Sequence, residues 1–305
     1  MEINKISIIG LGALGIMFGS YIKDKVPQGA LRIIADEERI RRYKNQGIYC
    51  NGKKCDFTYL SGAEEDPADL LIFAVKFTQL EEAIATAAKQ VGENTIIIST
   101  LNGISSEEYL AEAFGDKVLL CTVQGMDAVK EDNKMVYHNM GYFSLGTWDG
   151  QPSPGLAATV AFFDRVGISY ELPADMKRQL WNKLIINTGV NQSVAVYETD
   201  YNGVQQEGEA RATMLLAMKE VVAVAQAMKI DLTEEDIAYW LKVLDSLAPD
   251  GMPSMRQDTL AHRPTEVELF SGTINRLGRQ YQVATPVNEM LYRRIKEIEA
   301  GYEIT

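Results

Sequence analysis

The stretch Lys-Ile-Ser-Ile-Ile-Gly-Leu-Gly-Ala-Leu-Gly at Lys5–Gly15 decides the fold of the first half of this chain. Its first five residues predict a buried strand, and the helical pattern from Leu14 predicts a helix directly after the turn. The turn fits G-x-G-x-x-G, in which the glycines permit a tight turn, close approach to a pyrophosphate and close packing of helix on strand. We therefore predict that it binds a dinucleotide; a βα turn without a ligand is the alternative. The predicted binding residues are Gly10, Leu11, Gly12, Ala13, Leu14 and Gly15.

Outward from this turn, short apolar runs alternate with amphipathic runs as far as Pro173. Strands that are apolar throughout and separated by helices are typical of a parallel sheet covered on both faces, so we predict a Rossmann-like, doubly wound α/β fold. Asn51-Gly52 predicts a hairpin turn. A second antiparallel pair is predicted around Asn139–Gly141. Further strands are predicted at Leu31–Ala35, Leu70–Val75, Thr95–Thr100, Val118–Val123 and Ile168–Leu172, and the second pair joins Met135–His138 to Tyr142–Leu145.

Beyond Pro173 the strand patterns largely vanish and helical periodicity dominates. We therefore predict two domains: a dinucleotide-binding domain over residues 1–173, and an all-α domain over residues 174–305 that carries substrate and completes the active site. The predicted helices are Asp175–Val196, Gly208–Met228, Thr233–Leu247, Pro264–Arg279 and Pro286–Ala300.

The composition excludes several classes of protein. The chain has 305 residues, 46% of them hydrophobic, and a formal net charge of −12, which disfavours nucleic acids and anionic membranes as partners. No apolar run reaches the roughly 18 residues that a membrane span needs. Three cysteines and two histidines without a C-x-x-C pattern predict reduced thiols and no metal site. We therefore expect a cytoplasmic protein.

The end of the second predicted strand bears on the choice of dinucleotide. Asp36 lies at the position, about 20 residues after the glycine turn, where an acid binds the ribose hydroxyls of NAD and repels a 2′-phosphate. Basic residues follow at once, and one of them can pair with the 2′-phosphate of NADP. The third interpretation is that Asp36 only caps its helix and that the basic residues form a solvated helix face. The basic residues are Arg39, Arg41, Arg42 and Lys44.

Two later strand ends also carry polar residues. Lys76 follows Leu70–Val75, and Asn102-Gly103 follows Thr95–Thr100. Ligands of doubly wound sheets bind beyond the carboxyl ends of the strands, so we predict that Lys76 and Asn102 contact a cofactor. The alternatives are a surface charge for Lys76 and a helix cap for Asn102.

The first helix after the boundary combines an apolar sequence with a polar stripe. Lys183, Asn187 and Asn191 recur at every fourth residue and share one helix face. Buried polar side chains are costly unless paired, so a polar cavity explains the stripe, with a solvent-facing stripe as the alternative.

A second polar set spans Pro253–Glu268 and contains Ser254 and Glu266. Pro264 suits the first turn of a helix, which makes Glu266 either functional or an acid that stabilises the helix dipole.

These motifs, taken in order, resemble those of the ketopantoate reductases (2-dehydropantoate 2-reductases) along nearly the whole chain. The matching segments are I-x-G-x-G-A-L-G at Ile8–Gly15, A-V-K at Ala74–Lys76, N-G at Asn102–Gly103, W-x-K-L-x-x-N-x-x-x-N at Trp181–Asn191, S-M-x-Q-D at Ser254–Asp258 and R-P-T-E at Arg263–Glu266.

The resemblance implies roles for individual residues. Lys183 is the expected general acid that protonates the ketone oxygen, and Glu266 is expected to bind substrate and orient Lys183. The resemblance further implies that Asn187, Asn191 and Ser254 contact substrate and that Asn102 contacts the cofactor. Lys76 is expected to contact the cofactor and to approach the substrate.

The implied function is the reduction of ketopantoate to D-pantoate in pantothenate biosynthesis. The resemblance also implies a small-molecule 2-keto acid as the partner and a monomer or homodimer. Many members of the family have an arginine for the 2′-phosphate where this chain has Asp36, so NADP(H) is favoured over NAD(H) only narrowly. An NAD-dependent D-2-hydroxyacid dehydrogenase for branched or aromatic 2-keto acids is the alternative. A non-catalytic dinucleotide sensor is a remote alternative. A sensor needs neither Lys183 nor Glu266, and this chain has both.

Overall fold

The computed structural model describes residues 1–302, which form two compact units. The first unit comprises residues 1–102 and 106–176, and the second comprises residues 103–105 and the chain from residue 177 onward. The predicted functional boundary near Pro173 stays a prediction.

The first unit contains twelve strands and five α-helices among its described residues. In chain order they are β1 (Ile6–Ile9), α1 (Ala13–Lys23), β2 (Leu31–Ala35), α2 (Glu37–Gln46), β3 (Tyr49–Cys50), β4 (Lys53–Lys54), β5 (Thr58–Ser61), β6 (Leu70–Phe73), α3 (Leu80–Ala87), β7 (Ile96–Ser99), α4 (Ser106–Phe114), β8 (Leu120–Met126), β9 (Val129–Glu131), β10 (Lys134–Val136), β11 (Met140–Gly146), α5 (Pro154–Val166) and β12 (Tyr170–Glu171).

The central sheet is parallel, with strand order β5-β2-β1-β6-β7. Strands β1, β2, β6 and β7 are buried at every residue, which agrees with their apolar sequences and with helices on both faces. The structure confirms the predicted doubly wound α/β fold. Strand β1 pairs with β2 on one side and with β6 on the other, so the strand order reverses direction at β1. Sheets of this kind bind their ligands at such a switch point.

Glycine is required twice in the turn after β1. Gly10 has φ +100°, and a Cβ there would lie 2.6 Å from the carbonyl oxygen of Ala74, at the end of β6. A Cβ on Gly15 would overlap the carbonyl oxygen of Gly10 itself. The turn therefore packs backbone on backbone between the two strands of the switch point.

The structure confirms one predicted hairpin and corrects the other. Asn51 and Gly52 both have positive φ and join β3 to β4. The predicted pairing of Met135–His138 with Tyr142–Leu145 is wrong: β10 pairs with β9 and β3, and β11 pairs with β8. The reason is Asp127, whose Oδ1 accepts hydrogen bonds from the backbone nitrogens of His138 and Asn139, each at 2.8 Å. These bonds turn the chain after β10 toward β8.

All regular elements among the described residues of the second unit are helices, as predicted. Its elements are α6 (Met176–Ile186), a first π-helix (Asn187–Asn191), α7 (Gln192–Val196), α8 (Tyr201–Gln205), α9 (Glu209–Ala227), α10 (Glu234–Asp245), α11 (Ser254–Leu260), a second π-helix (Glu268–Gly272), α12 (Thr273–Tyr281) and α13 (Pro286–Ala300). Among residues 1–302, no helix combines the length and apolar character needed to cross a membrane.

Two predicted helices of this unit are corrected. Asp175–Val196 is not one regular helix, because the first π-helix interrupts it. Pro264 does not start a helix: Pro264–Glu266 is irregular, and the helical segment begins at Glu268 with a π turn. Thr265 explains this start, because its backbone nitrogen and hydroxyl both donate to Glu299 Oε1 of α13, each at 2.7 Å.

Buried polar side chains lock the two π-helices in place. Gln192, which is fully buried, donates to the carbonyl of Thr188 at 2.7 Å and accepts hydrogen bonds from the backbone and hydroxyl of Ser271. A Cβ on Gly189 would overlap Met218 of α9, so this glycine permits the close approach of the first π-helix to α9. These contacts stabilise the irregular turns.

The glycine turn generates a stability prediction. We expect Gly15→Ala to lower the free energy of unfolding by about 3 kcal/mol, because its Cβ meets a backbone oxygen that cannot move aside. Gly12→Ala is the matched control, since its Cβ would meet only the Ala74 oxygen, at 3.4 Å. Chemical denaturation of both variants is the measurement, and equal destabilisation of the two would contradict this account of the turn.

Candidate functional site

The glycine turn of the first unit leaves one position open for a ligand. Gly12 is the N-cap of α1, is exposed and has no side chain to cap the helix. The first amide groups of a helix have no partner within it and attract anions. Because packing alone does not require glycine at position 12, its missing side chain leaves room for a phosphate group to approach the backbone. These residues fit a dinucleotide.

Asp36 caps a helix and also takes part in an ion-pair network. Its Oδ1 accepts a hydrogen bond from the backbone nitrogen of Arg39 at 2.7 Å, and its Oδ2 lies 3.1 Å from Arg39 Nη1. The same Nη1 donates to Glu82 Oε1 of α3 at 2.8 Å, and Nη2 lies 3.5 Å from Glu82 Oε2. The hydrogen bond to Glu82 raises the pKa of Arg39, in agreement with this pairing. Arg41, Arg42 and Lys44 are exposed.

Lys76 and Asn102 lie just beyond the carboxyl ends of β6 and β7, as the sequence predicts. Lys76 precedes a short 3₁₀ turn at Phe77–Gln79, and its carbonyl accepts a hydrogen bond from Gln79 at 2.9 Å. Asn102 is half-buried three residues after β7. Helix α4 begins only at Ser106, so Asn102 is not its cap. Gly103 has φ +88°, which allows the chain to bend sharply beside Asn102.

In the second unit, Lys183 is almost completely buried in the last turn of α6, with 8% of its surface exposed. Its neighbour Asn182 anchors this helix. Asn182 Nδ2 donates to Asp236 Oδ1 at 2.6 Å, and Asn182 Oδ1 accepts from Trp240 Nε1 at 2.7 Å. Arg178 adds a two-pronged ion pair to Asp236, at 2.7 and 3.0 Å. The backbone that carries Lys183 is therefore held against α10 by charged and polar contacts.

Asn187 and Asn191, one and two turns after Lys183, begin and end the first π-helix. Asn191 Nδ2 donates to Asn187 Oδ1 at 3.4 Å, so the two amides lie side by side as the predicted stripe requires. The Nδ2 atom of Asn187 is buried, and the residues from 1 to 302 offer it no hydrogen-bond acceptor. A buried donor of this kind is costly unless a ligand or water accepts from it, so Asn187 is a candidate for contact with a ligand.

Ser254 begins a helix, whereas Glu266 lies in the irregular segment before the second π-helix. Ser254 is exposed in the first turn of α11, behind Pro253. Glu266 lies in the irregular segment that Thr265 ties to Glu299. Lys296 in turn lies 2.9 Å from Glu299. Burial acts to raise the pKa of Glu299, but the hydrogen bonds from Thr265 and Lys296 outweigh it, so the pKa lies below its ordinary 4.5.

Sequence reasoning did not single out Glu82, Asp236 or Glu299. Glu82 and Glu299 lie on amphipathic helices far along the chain from Asp36 and Glu266, so no local spacing connects them. Asp236 offered one signal, since Thr233 and Asp236 form a capping box.

Comparison with known proteins covers both units. The family model described as ketopantoate reductase PanE/ApbA matches residues 6–150, and the model described as ketopantoate reductase PanE/ApbA C terminal matches residues 175–299. These matches confirm the resemblance inferred from the six motifs.

Individual relatives are similar to this chain over almost its whole length. A 2-dehydropantoate 2-reductase of Vibrio cholerae is 26% identical, over 97% of this chain and 98% of its own. Among solved structures, a D-mandelate dehydrogenase in complex with NADH has a TM-score of 0.86 at 23% identity, covering 98% of this chain and 100% of its own. A PanE/ApbA family ketopantoate reductase from Ralstonia eutropha JMP134 has a TM-score of 0.84 at 22% identity, covering 97% and 98%. At these identities the structures bear on the fold alone.

The Thr265–Glu299 contact generates a pH prediction. A carboxylate whose pKa is lowered by folding stabilises the protein above its unfolded pKa, and this contribution is lost as the pH falls through the folded pKa. We expect Glu299→Gln to lower the Tm at pH 7 by about 3 °C, the effect of hydrogen bonds worth about 1 kcal/mol in a protein of this size. The difference in Tm should shrink as the pH falls below 4.5.

Glu297→Gln is the matched control, because Glu297 is exposed on the same helix and pairs only with surface arginines in the described structure. A Tm difference for Glu299→Gln that stays constant between pH 7 and pH 3.5 would contradict the prediction.

Proposed function

We propose that this chain, which belongs to the ketopantoate reductase family, reduces 2-dehydropantoate to pantoate with a reduced nicotinamide dinucleotide. Two family models together span residues 6–150 and 175–299, and the curated relatives are similar over almost their entire length. The general class is an NAD(P)H-dependent oxidoreductase of 2-keto acids.

One observation carries the proposal most directly: a buried lysine lies one turn before a buried amide donor that has no acceptor among residues 1–302. A 2-keto acid has acceptor oxygens on adjacent carbons, and both Lys183 and Asn187 can donate to them. The pairing of a cation with a neutral donor suits an oxygen that becomes negative during the reaction.

Lys183 is the proposed general acid. Its ammonium group donates a proton to the ketone oxygen as that oxygen gains electrons, which lowers the energy of the developing alkoxide. The anchored helix α6 keeps its backbone fixed, so little ordering remains to be done when substrate binds. We further propose that Glu266 orients Lys183 and binds substrate, and that Asn187, Asn191 and Ser254 complete the substrate contacts.

When bound, the reduced nicotinamide supplies the hydride that adds to the ketone carbon. The residues of the glycine turn, Gly10–Gly15, hold the pyrophosphate at the start of α1. Lys76 and Asn102 are proposed to contact the same cofactor. The sequence favours NADPH over NADH by a narrow margin, and this choice depends on whether an arginine after Asp36 is available to a 2′-phosphate.

A second candidate function is an NADH-dependent dehydrogenase of other D-2-hydroxy acids. Asp36 favours it, because an acid at this position suits the unphosphorylated ribose. The close structural similarity to a D-mandelate dehydrogenase in complex with NADH is consistent with it at the level of the fold. Initial rates with 2-dehydropantoate and with phenylglyoxylate, each with NADPH and with NADH, separate the two; faster turnover of phenylglyoxylate would favour the dehydrogenase.

The role of Lys183 is tested by substitution. We expect Lys183→Ala to lower kcat by about 10²- to 10⁴-fold, the usual contribution of a general acid, while the Kd for the reduced dinucleotide stays the same. Lys242→Ala, an exposed lysine of the same unit, is the control and should keep full activity. Wild-type kcat in Lys183→Ala would refute the assignment.

A further inference from the structure

Arg39 is the first basic residue after Asp36, and it is held by two carboxylates. Its guanidinium lies 3.1 Å from Asp36 Oδ2 and 2.8 Å from Glu82 Oε1, with a second, longer contact to Glu82. About a third of the arginine side chain is exposed, whereas Glu82 is 57% exposed. The guanidinium is therefore already paired on the side that faces the two acids.

The network joins residues that follow the two strands on either side of β1. Asp36 directly follows β2, and Glu82 lies in the first turn of α3, the helix that follows β6. Strands β2 and β6 flank β1, whose carboxyl end carries the glycine turn. Nucleotides bind this crevice in doubly wound folds, with the adenosine ribose at the end of the second strand.

The charges of this network disfavour a 2′-phosphate. Two carboxylates surround one guanidinium, so the three side chains together carry one net negative charge at neutral pH. A phosphate monoester carries about −1.5 to −2 at pH 7, and it must displace Glu82 to reach Arg39. Displacement leaves the Glu82 carboxylate unpaired beside the phosphate, and like charges side by side are costly.

An unphosphorylated ribose faces no such cost. Its hydroxyl donates to a carboxylate, and Asp36 keeps lone pairs for it after accepting from the Arg39 amide. The ion pair between Arg39 and Glu82 can then stay intact.

We propose that Glu82 is a specificity-determining residue: by holding Arg39, it makes this chain prefer NADH to NADPH. This inference rests on the proposed use of a nicotinamide dinucleotide and goes beyond it, because the family match and the glycine turn serve both dinucleotides. It reverses the narrow preference for NADPH drawn from the sequence, in which the pairing of Arg39 was not visible.

The test measures nucleotide binding without substrate, from the fluorescence of NADH and of NADPH titrated with the full-length protein. The wild type should bind NADH more tightly. Glu82→Gln should tighten NADPH binding by roughly tenfold, because it removes a like charge and frees Arg39, and it should leave NADH binding nearly unchanged. Adding Arg39→Ala to Glu82→Gln should abolish this gain.

Glu81→Gln is the matched control, since Glu81 is an exposed acid on the same turn of α3 with the same charge. A tighter wild-type Kd for NADPH, or an equal shift in Glu81→Gln and Glu82→Gln, would overturn the inference. If the ratio shifts as expected but no 2-keto acid is reduced, the inference stands and the proposed function fails. If neither nucleotide binds, both fail.

Discussion

The close backbone packing of Gly10, Gly15 and Ala74 is the constraint on which the first unit depends. It packs the turn after β1 against the end of β6, and α1 begins directly after this turn. The exposed amides at Gly12 then lie at the switch point, next to the strand ends that carry Asp36 and Lys76. The proposed nucleotide site follows from the strand order and from the missing side chains of Gly10 and Gly15, rather than from a dedicated set of charged residues.

The second unit positions its candidate functional side chains by a different means. Buried polar groups are costly unless they are paired, and here they are paired with one another across helices. Asp236 accepts hydrogen bonds from Arg178, from Asn182 and from the backbone at the N-terminus of α10. Gln192 links the two π-helices. Local π turns are common at functional sites, and here one begins with Asn187 and the other follows Glu266. Rigid supports of this kind suit the proposed role of Lys183 as a proton donor at one fixed position.

Much of the architecture was predictable because the decisive patterns are local. The glycine turn, the apolar strands, the Asn51-Gly52 hairpin and the helical second half are each encoded within a few neighbouring residues. The failures involve contacts between distant residues. Asp127 redirects the strand after Asn139, and Glu299 keeps Pro264–Glu266 out of the following helix. The Arg39–Glu82 pair joins residues more than 40 positions apart, so periodicity could not reveal that Arg39 is already engaged.

The central claim is that residues of this chain direct a hydride to the ketone carbon of a 2-keto acid and a proton to its oxygen. The most direct measurement is mass spectrometry of the product formed from 2-dehydropantoate and a reduced dinucleotide that carries two deuterium atoms at the nicotinamide C4 position. The account predicts pantoate that carries one deuterium, bonded to C2. Pantoate without deuterium, or no pantoate with either NADH or NADPH, would contradict it.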